Sequence, residues 1–188
     1  METIRPVILK VPSGIQNLMG KEKVKFLSRH ARLALGLSAQ KMSIELGELR
    51  KNENGAPLPT NGNFWSITHK RKYVGGVVAS KKIGIDIEEV RPGATSLIRR
   101  VAHKSEWDLF DQDKETRFFR IWTAKEAVLK ATGRGIWGME ACRVVTIIDK
   151  NNLRINCQDR NWEVEHRYFN GHISSIVKHD FCVEWYFE

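Results

Sequence analysis

The chain is poor in cysteine, with three in 188 residues. Cys142, Cys157 and Cys182 are widely spaced, odd in number and without a Cys-x-x-Cys pair, which argues against both a disulfide framework and a zinc site and predicts plain thiols. Long apolar runs are missing as well. Stretches such as Tyr73 to Ala79 fall far short of the roughly 20 residues that a membrane-spanning helix needs, so no membrane segment is expected. The opening Met1-Glu2-Thr3-Ile4-Arg5-Pro6 has no basic region followed by an apolar stretch, so no secretory signal is read there and the cytoplasm is the default. The chain shows no repeat of fixed period and no low-complexity tract, which excludes a solenoid.

What is present suits a packed globule. Hydrophobic residues make up 41% of the chain, ample for the core of one large domain or two small ones. The net charge is +9, a field that would serve nucleic acid, an anionic membrane surface, an acidic protein or a polyphosphate cofactor. Its carriers are clustered internally, in Lys21 to Arg32, Lys70-Arg71-Lys72, Lys81-Lys82 and Arg99-Arg100, rather than in a terminal tail. Solvated surface accounts for most of them.

Hydrophobic periodicity predicts an amphipathic helix over Lys21 to Leu37, with Val24, Leu27, Ala31, Ala34 and Leu35 on its apolar stripe and Gly36 near its end. A turn-rich stretch from Lys51 to Pro59 leads into strand-like Phe64 to His69. Tyr73 to Ser80 and Ile83 to Glu88 read as two further strands about a Lys81-Lys82 turn, and three strands in a row suggest an antiparallel meander. Arg91-Pro92-Gly93-Ala94 breaks the pattern. Helices resume after it, with Ser105 and Asp108, then Thr123 and Glu126, spaced as capping pairs. From Cys142 the chain is strand-rich: Arg143 to Ile148, a turn at Asp149 to Asn152, Leu153 to Asn156, Trp162 to Phe169, His172 to Val177 and Phe181 to Phe187. The expected class is α+β, in two halves of similar size, about 1–90 and 91–188, each running helix first and sheet second.

One segment carries chemistry. In Ile83-Gly84-Ile85-Asp86-Ile87-Glu88 the alternation of an extended strand puts Asp86 and Glu88 on one face and Ile85 and Ile87 on the other. Paired carboxylates repel unless solvated, protonated or bridged by a cation, and hard oxygens at this spacing suit Mg²⁺ held jointly with a phosphate ligand. Further along, Trp122-Thr123-Ala124-Lys125-Glu126-Ala127-Val128-Leu129-Lys130 offers a third carboxylate, Glu126, and a lysine, Lys130, one helical turn apart on the same face. Each residue also has a structural reading. Asp86 and Glu88 suit a solvated edge strand, Glu126 a partner for a Thr123 cap, Lys125 and Lys130 a helix surface, His69 a hydrogen-bonded strand end, and Glu106 a first-turn acid.

The Gly84-Ile85-Asp86-Ile87-Glu88 strand, followed by Phe118 to Ala131, resembles the two signature motifs of the 4′-phosphopantetheinyl transferases, in the longer subfamily typified by the surfactin and enterobactin pathway enzymes. Asn54-Gly55-Ala56-Pro57 is similar to that family's Gly-Lys-Pro turn, Ser66-Ile67-Thr68-His69 to its Asn-Ile-Ser-His strand end, and Ala102 to Trp107 to the segment opening its second half. The resemblance spans about residues 25 to 140, and the two signatures together are specific. It implies a pseudo-dimer of two α+β halves, each with an antiparallel sheet and helices, and an active site at the seam. It further implies Asp86, Glu88 and Glu126 as Mg²⁺ ligands, and coenzyme A contacts from Thr68, His69, Lys70, Gly55, Pro57 and Arg29 or Arg32. Glu106 would lie near the metal, and Lys130, with Lys125 as second candidate, would add charge at the phosphoryl oxygens. The serine proton would go to Glu126, Glu106 or a metal-bound water.

This sequence departs from the family pattern at Ala56, where lysine is usual, at Ser66 for asparagine, at Thr68 for serine and at Lys70 for serine. Loss of the lysine puts one coenzyme contact in question, for which Lys70 or Arg71 are the available replacements. The expected activity is transfer of 4′-phosphopantetheine from coenzyme A to a serine of an acidic acyl or peptidyl carrier protein by a monomer, with neither nucleic acid nor membrane as partner. Two rivals stand beside it. A nucleic-acid module should interleave aromatics with Arg and Lys, a pattern thin outside Lys70 to Tyr73. A non-enzymatic relative that binds carrier or coenzyme should lack a carboxylate, and none is missing.

Overall fold

The computed structural model describes residues 1–93 and 101–188. Arg99 and Arg100, counted above among the basic clusters, lie outside the described residues. The class is α+β with antiparallel sheets, as expected. The elements that frame the first sheet are β1 (Thr3–Ile4), β2 (Val7–Lys10), α1 (Gly20–Lys41), β3 (Phe64–His69) and β4 (Tyr73–Ala79). Then come β5 (Ile85–Glu89), α2 (Lys104–Trp107), α3 (Lys114–Thr132), β6 (Cys142–Ile147), β7 (Asn152–Cys157), β8 (Arg160–Phe169), β9 (His172–Val177), β10 (Cys182–Val183) and β11 (Tyr186–Phe187).

One sheet has the order β11-β2-β4-β3 and the other β5-β9-β8-β7-β6, with a short parallel pair of β1 and β10 beside them. The expected meander is therefore interrupted: β3 and β4 pair antiparallel, but β5 pairs with β9. Both edges of β4 are already taken, by β2 and β3, so β5 cannot continue the meander beside it. The stretch read as one strand from Phe181 to Phe187 is two short ones, and the second, β11, returns to the first sheet beside β2. Strands thus cross between the two sheets in both directions. The segment before α1 carries β2, so the first half does not begin with its helix.

Each long helix is seated on a sheet through a glycine. α1 buries Leu27, Ala31 and Ala34 with Val7, Leu9 and Val74, and Leu35 and Ala39 with Trp65 and Val78. A Cβ at Gly76 of β4 would meet the Leu35 backbone nitrogen at 2.3 Å, so only glycine allows this approach. α1 runs on through Gly36, and its buried face extends to Ser38 and Ala39 while Val24 is left 56% exposed, contrary to the stripe read from the sequence. Packing against the sheet offsets the roughly 1 kcal/mol that a mid-helix glycine costs. α3 lies on the second sheet, burying Ala124, Val128 and Leu129 with Ile155, Ile173 and Ile176. Gly84, just before β5, is where its backbone comes nearest: a Cβ there would lie 1.9 Å from the Ala127 carbonyl oxygen.

Both expected caps are elsewhere. His103 caps α2 in a capping box with Glu106, and Asp113 caps α3 by accepting from the Thr116 amide at 3.0 Å. α3 is already in its third turn at Thr123, whose hydroxyl donates back to the Phe119 carbonyl at 2.8 Å, the outlet a mid-helix threonine uses. Cys142 and Cys157 are cross-strand partners on β6 and β7, Cα atoms 4.3 Å apart, and are joined in a disulfide, leaving Cys182 as the free thiol. Strand register brings these two together, and count and spacing along the chain carry no information about register. Among the described residues no helix is long and apolar enough to cross a membrane.

Candidate functional site

β3 and β5 belong to different sheets, yet β3 orients the carboxylates of β5. Ser66 and Thr68, two positions apart and so on one face of β3, reach across: the Ser66 hydroxyl accepts from the Ile85 amide at 3.2 Å, and the Thr68 hydroxyl donates to Asp86 Oδ1 at 3.0 Å. From the far side, Ser174 of β9 donates to the Asp86 carbonyl at 3.0 Å. Asp86 is 4% exposed, and Lys130 of α3 donates to both its Oδ1, at 2.8 Å, and the Ile85 carbonyl, at 2.9 Å. Glu88 is held by Lys70 Nζ at 2.7 Å and by the Trp122 indole N–H at 3.0 Å. Each strand carboxylate is thus gripped by one lysine.

Asp86, Lys70, Lys130 and Trp122 open on a cleft of about 420 Å³ that is also lined by Thr68, His69 and Glu126, by Ser28 of α1 and by Lys51. Burial raises the Glu126 carboxyl above its ordinary pKa, and the charges of Asp86 and Glu88 add to the rise against the pull of Lys130 and Lys70. Glu88 is raised by burial and then by Asp86, although Lys70 and Trp122 pull the other way. Burial pulls Lys70 down, but Asp86 and Glu88 more than reverse it, and its pKa is raised. His69 is lowered by burial and by the cations Lys130 and Lys70, which leaves a neutral imidazole at neutral pH.

The residues fit a divalent cation in donor chemistry. Asp86 Oδ2 is buried and without a hydrogen-bond partner, and Glu126 and Glu88 both sense the Asp86 charge. As the side chains stand, the lysines occupy the other Asp86 oxygen and one of Glu88, and among the described residues no group of three or more His, Cys, Asp or Glu is drawn together to grip a metal.

Other residues read from the sequence lie apart from this cleft. Glu106 and Lys125, 2% and 0% exposed, form a buried ion pair at 2.7 Å. Lys125 also donates to the Val101 carbonyl, and Glu106 accepts from the His103 and Val144 amides at 2.9 and 2.8 Å. Burial alone would raise Glu106, but these donors outweigh it and hold the carboxyl below its ordinary range. Burial lowers Lys125 in spite of Glu106. The two directions oppose one another, and the donors converging on Glu106 decide for a charged pair. Neither residue lines the cleft, and their contacts tie α2, α3 and β6 together.

Arg29 and Arg32 are both exposed on α1, and it is Arg32 whose charge reaches Lys51. Gly55 and Pro57 are not among the cleft residues. Their turn, closed by Asn52 Oδ1 accepting from the Ala56 amide at 2.9 Å, instead brings Lys51 into a bridge with Pro57. Lys51 is the residue sequence reasoning missed. It lines the cleft, its pKa is lowered by burial and by Arg32 and Lys130, and among the described residues it has no ion-pair partner. The signal available was its place directly before the Asn52 turn that contains Ala56.

A family model described as the 4′-phosphopantetheinyl transferase superfamily matches residues 82–183, more than half of the chain. Among curated proteins, the 4′-phosphopantetheinyl transferase HetI of Nostoc sp. PCC 7120 is 32% identical over 117 residues, covering 58% of this chain and 49% of that protein. Sfp of Bacillus subtilis strain 168, another 4′-phosphopantetheinyl transferase, is 33% identical over 76 residues, 38% of this chain and 34% of its own. AcpT of Escherichia coli O157:H7, of the same description, is 27% identical over 138 residues, 68% of each chain. Of HetI and Sfp the match spans about half or less.

Proposed function

The chain belongs to the 4′-phosphopantetheinyl transferase superfamily, and from that premise we propose that it transfers the 4′-phosphopantetheine arm of coenzyme A to a serine of an apo acyl or peptidyl carrier protein. The observation that carries this reading is the charge gathered at one cleft: Asp86 bound by Lys130, Lys70 bound to the neighbouring Glu88, and Glu126, raised by burial and by the charges of Asp86 and Glu88. In the reaction the serine oxygen bonds to the phosphorus that bears pantetheine. The bond from that phosphorus to the departing oxygen breaks, and 3′,5′-ADP leaves with the electron pair.

Asp86, Glu88 and Glu126 would hold Mg²⁺, which when bound neutralises the diphosphate and favours attack at phosphorus. Lys130 and Lys70, already within hydrogen-bond reach of β5, can turn their remaining N–H donors to phosphoryl oxygens. Glu126 is the proton acceptor that the arrangement favours, because it faces the cleft and carries a second carboxylate oxygen beside the one a cation would take. Glu106 is a poor candidate, since its oxygens are already engaged. On the nucleotide side, His69 and Thr68 at the end of β3 offer imidazole and hydroxyl, and Lys51 with Arg32 offers the charge that Ala56 cannot. A monomer acting on an acidic carrier accords with the net charge of +9.

The test is incubation with coenzyme A, Mg²⁺ and a panel of purified apo carriers, read by intact mass. A carrier that gains one phosphopantetheine supports the proposal, and a panel left unchanged under conditions where a known transferase loads it overturns it. Binding of coenzyme A and carrier without any transfer would instead favour the non-enzymatic reading.

A further inference from the structure

The turn between β3 and β4 has two sides. Lys70 faces the cleft just described, whereas Arg71, Lys72 and Tyr73 line a second and larger groove of about 690 Å³. The far wall is Lys10 to Ile15 together with Lys23 from the start of α1. The backbone fixes this wall: Lys10 is in register with Tyr73, and the Val11 amide donates to the Lys72 carbonyl at 2.8 Å. Val11 and Ile15, mostly buried, and Tyr73 make an apolar floor, and four cations stand around it with no carboxylate among the lining residues.

Ordinary surface charge does not account for this rim. Lys72 is paired with Glu89, but Lys10, Lys23 and Arg71 have no ion-pair partner among the described residues. Lys21 and Lys23 also occupy the first turn of α1, where the helix's own positive end disfavours cations, and Glu22 is the single acid there. Positive potential is therefore concentrated where local helix stability would oppose it.

We infer that this groove is a docking site for an acidic, amphipathic segment of a partner protein, its carboxylates on the Lys10, Lys23 and Arg71 rim and its apolar side chains on the Val11, Ile15 and Tyr73 floor. A bare phosphate or nucleic-acid backbone would leave the floor uncovered, and an uncharged apolar helix would leave the rim unanswered. Resting on the function proposed above, the partner is the serine-bearing acceptor, because one turn, Lys70 to Tyr73, borders both depressions and a protein seated in the groove lies beside the reaction cleft.

The experiment compares Lys10→Glu/Lys23→Glu with Lys82→Glu/Lys150→Glu, an equal charge change at exposed positions outside the groove. Two probes are titrated by fluorescence anisotropy without coenzyme A: an apo acyl carrier protein and a synthetic acidic amphipathic peptide of Glu and Leu. The inference expects about a tenfold or greater loss of affinity for both in the groove variant and less than about threefold in the control, with the KM for coenzyme A unchanged in either. Equal losses in both variants, or none, overturn it. So does groove-dependent binding of duplex DNA or phosphatidylserine vesicles in place of the peptide. If no carrier is loaded by the wild-type protein but the peptide still binds through Lys10 and Lys23, the proposed reaction fails while the groove stands as an acidic-peptide site.

Discussion

Substituting Gly84 by alanine should disable the site without touching any of its side chains. The new Cβ would lie 1.9 Å from the Ala127 carbonyl oxygen, 2.8 Å from the Ala131 nitrogen and 2.9 Å from the Ala127 carbonyl carbon, all backbone atoms of α3 that no rotamer change can move aside. Nonbonded contacts relax near 3.5 Å, so helix and strand must separate by on the order of 1.5 Å. Glu126 and Lys130 ride on that helix and Asp86 on that strand, which makes the 2.8 Å contact between Lys130 and Asp86 the first to be lost. Overpacking of this kind costs about 1–3 kcal/mol, and the severity of the overlap points to the upper end. At about 2–4 °C per kcal/mol for a chain of this size, the Tm should fall by roughly 6–12 °C. A displacement of about 1 Å can cost on the order of a hundredfold in rate, so transfer should drop at least that far in the fraction that remains folded. Melting by circular dichroism and carrier loading by intact mass measure the two effects. A Gly84→Ala variant with a Tm within about 2 °C of wild type and loading within about tenfold would refute the packing argument.

Three further outcomes are expected. Glu106→Gln should strand Lys125 as a buried charge and cost about 3–5 kcal/mol, visible as a lower Tm, and the double variant Glu106→Gln/Lys125→Met should recover much of both stability and activity; a double variant that is stable but inactive would return Glu106 to the chemistry. Lys51→Ala should raise the KM for coenzyme A several-fold with little change in kcat, and an unchanged KM would remove Lys51 from the nucleotide wall. Because Glu126 and Glu88 are raised in the folded state, the folded protein binds their protons more tightly than the unfolded chain, so their own contribution to metal-free stability should increase as pH falls toward the ordinary glutamate range, whereas activity should decline over the same interval. Melting profiles against pH for wild type and Glu126→Gln check this, and profiles of identical slope would contradict it.

The reading of the sequence agrees with the structure where local pattern decides placement. The alternation in Ile85 to Glu88 and the four-residue spacing of Glu126 and Lys130 describe backbone geometry directly: Asp86, Glu126 and Lys130 share one cleft with Thr68, His69 and Lys70, and Glu88 is held beside it by the cleft residues Lys70 and Trp122. It failed where long-range pairing decides. Val7 to Lys10, a strand buried at three successive positions, shows no alternation to betray it, and it is β2, by taking the second edge of β4, that keeps β5 from continuing the meander there. Thr123 had the spacing of a cap but lies inside a helix whose start is set by Asp113, and its hydroxyl is spent on Phe119 and, at 2.6 Å, on Ser175. Lys125 shares a helix with Glu126 but points about 100° away around its axis; the signature motif therefore contributes one residue to a buried ion pair and the next to the cleft.

The central claim is that the cleft between β5 and α3 performs phosphopantetheinyl transfer through its carboxylates, and Glu126→Gln tests it most directly because it removes one negative charge at nearly constant shape. Burial and the repulsion of Asp86 and Glu88 make the charged form of Glu126 costly in the metal-free fold, so the substitution should leave the Tm equal or higher. Carrier loading at saturating coenzyme A and Mg²⁺, followed by intact mass, should nevertheless fall by about a hundredfold or more, the range expected when a general base and anionic ligand is lost. A variant that is folded and loads carrier within about tenfold of wild type would contradict the account.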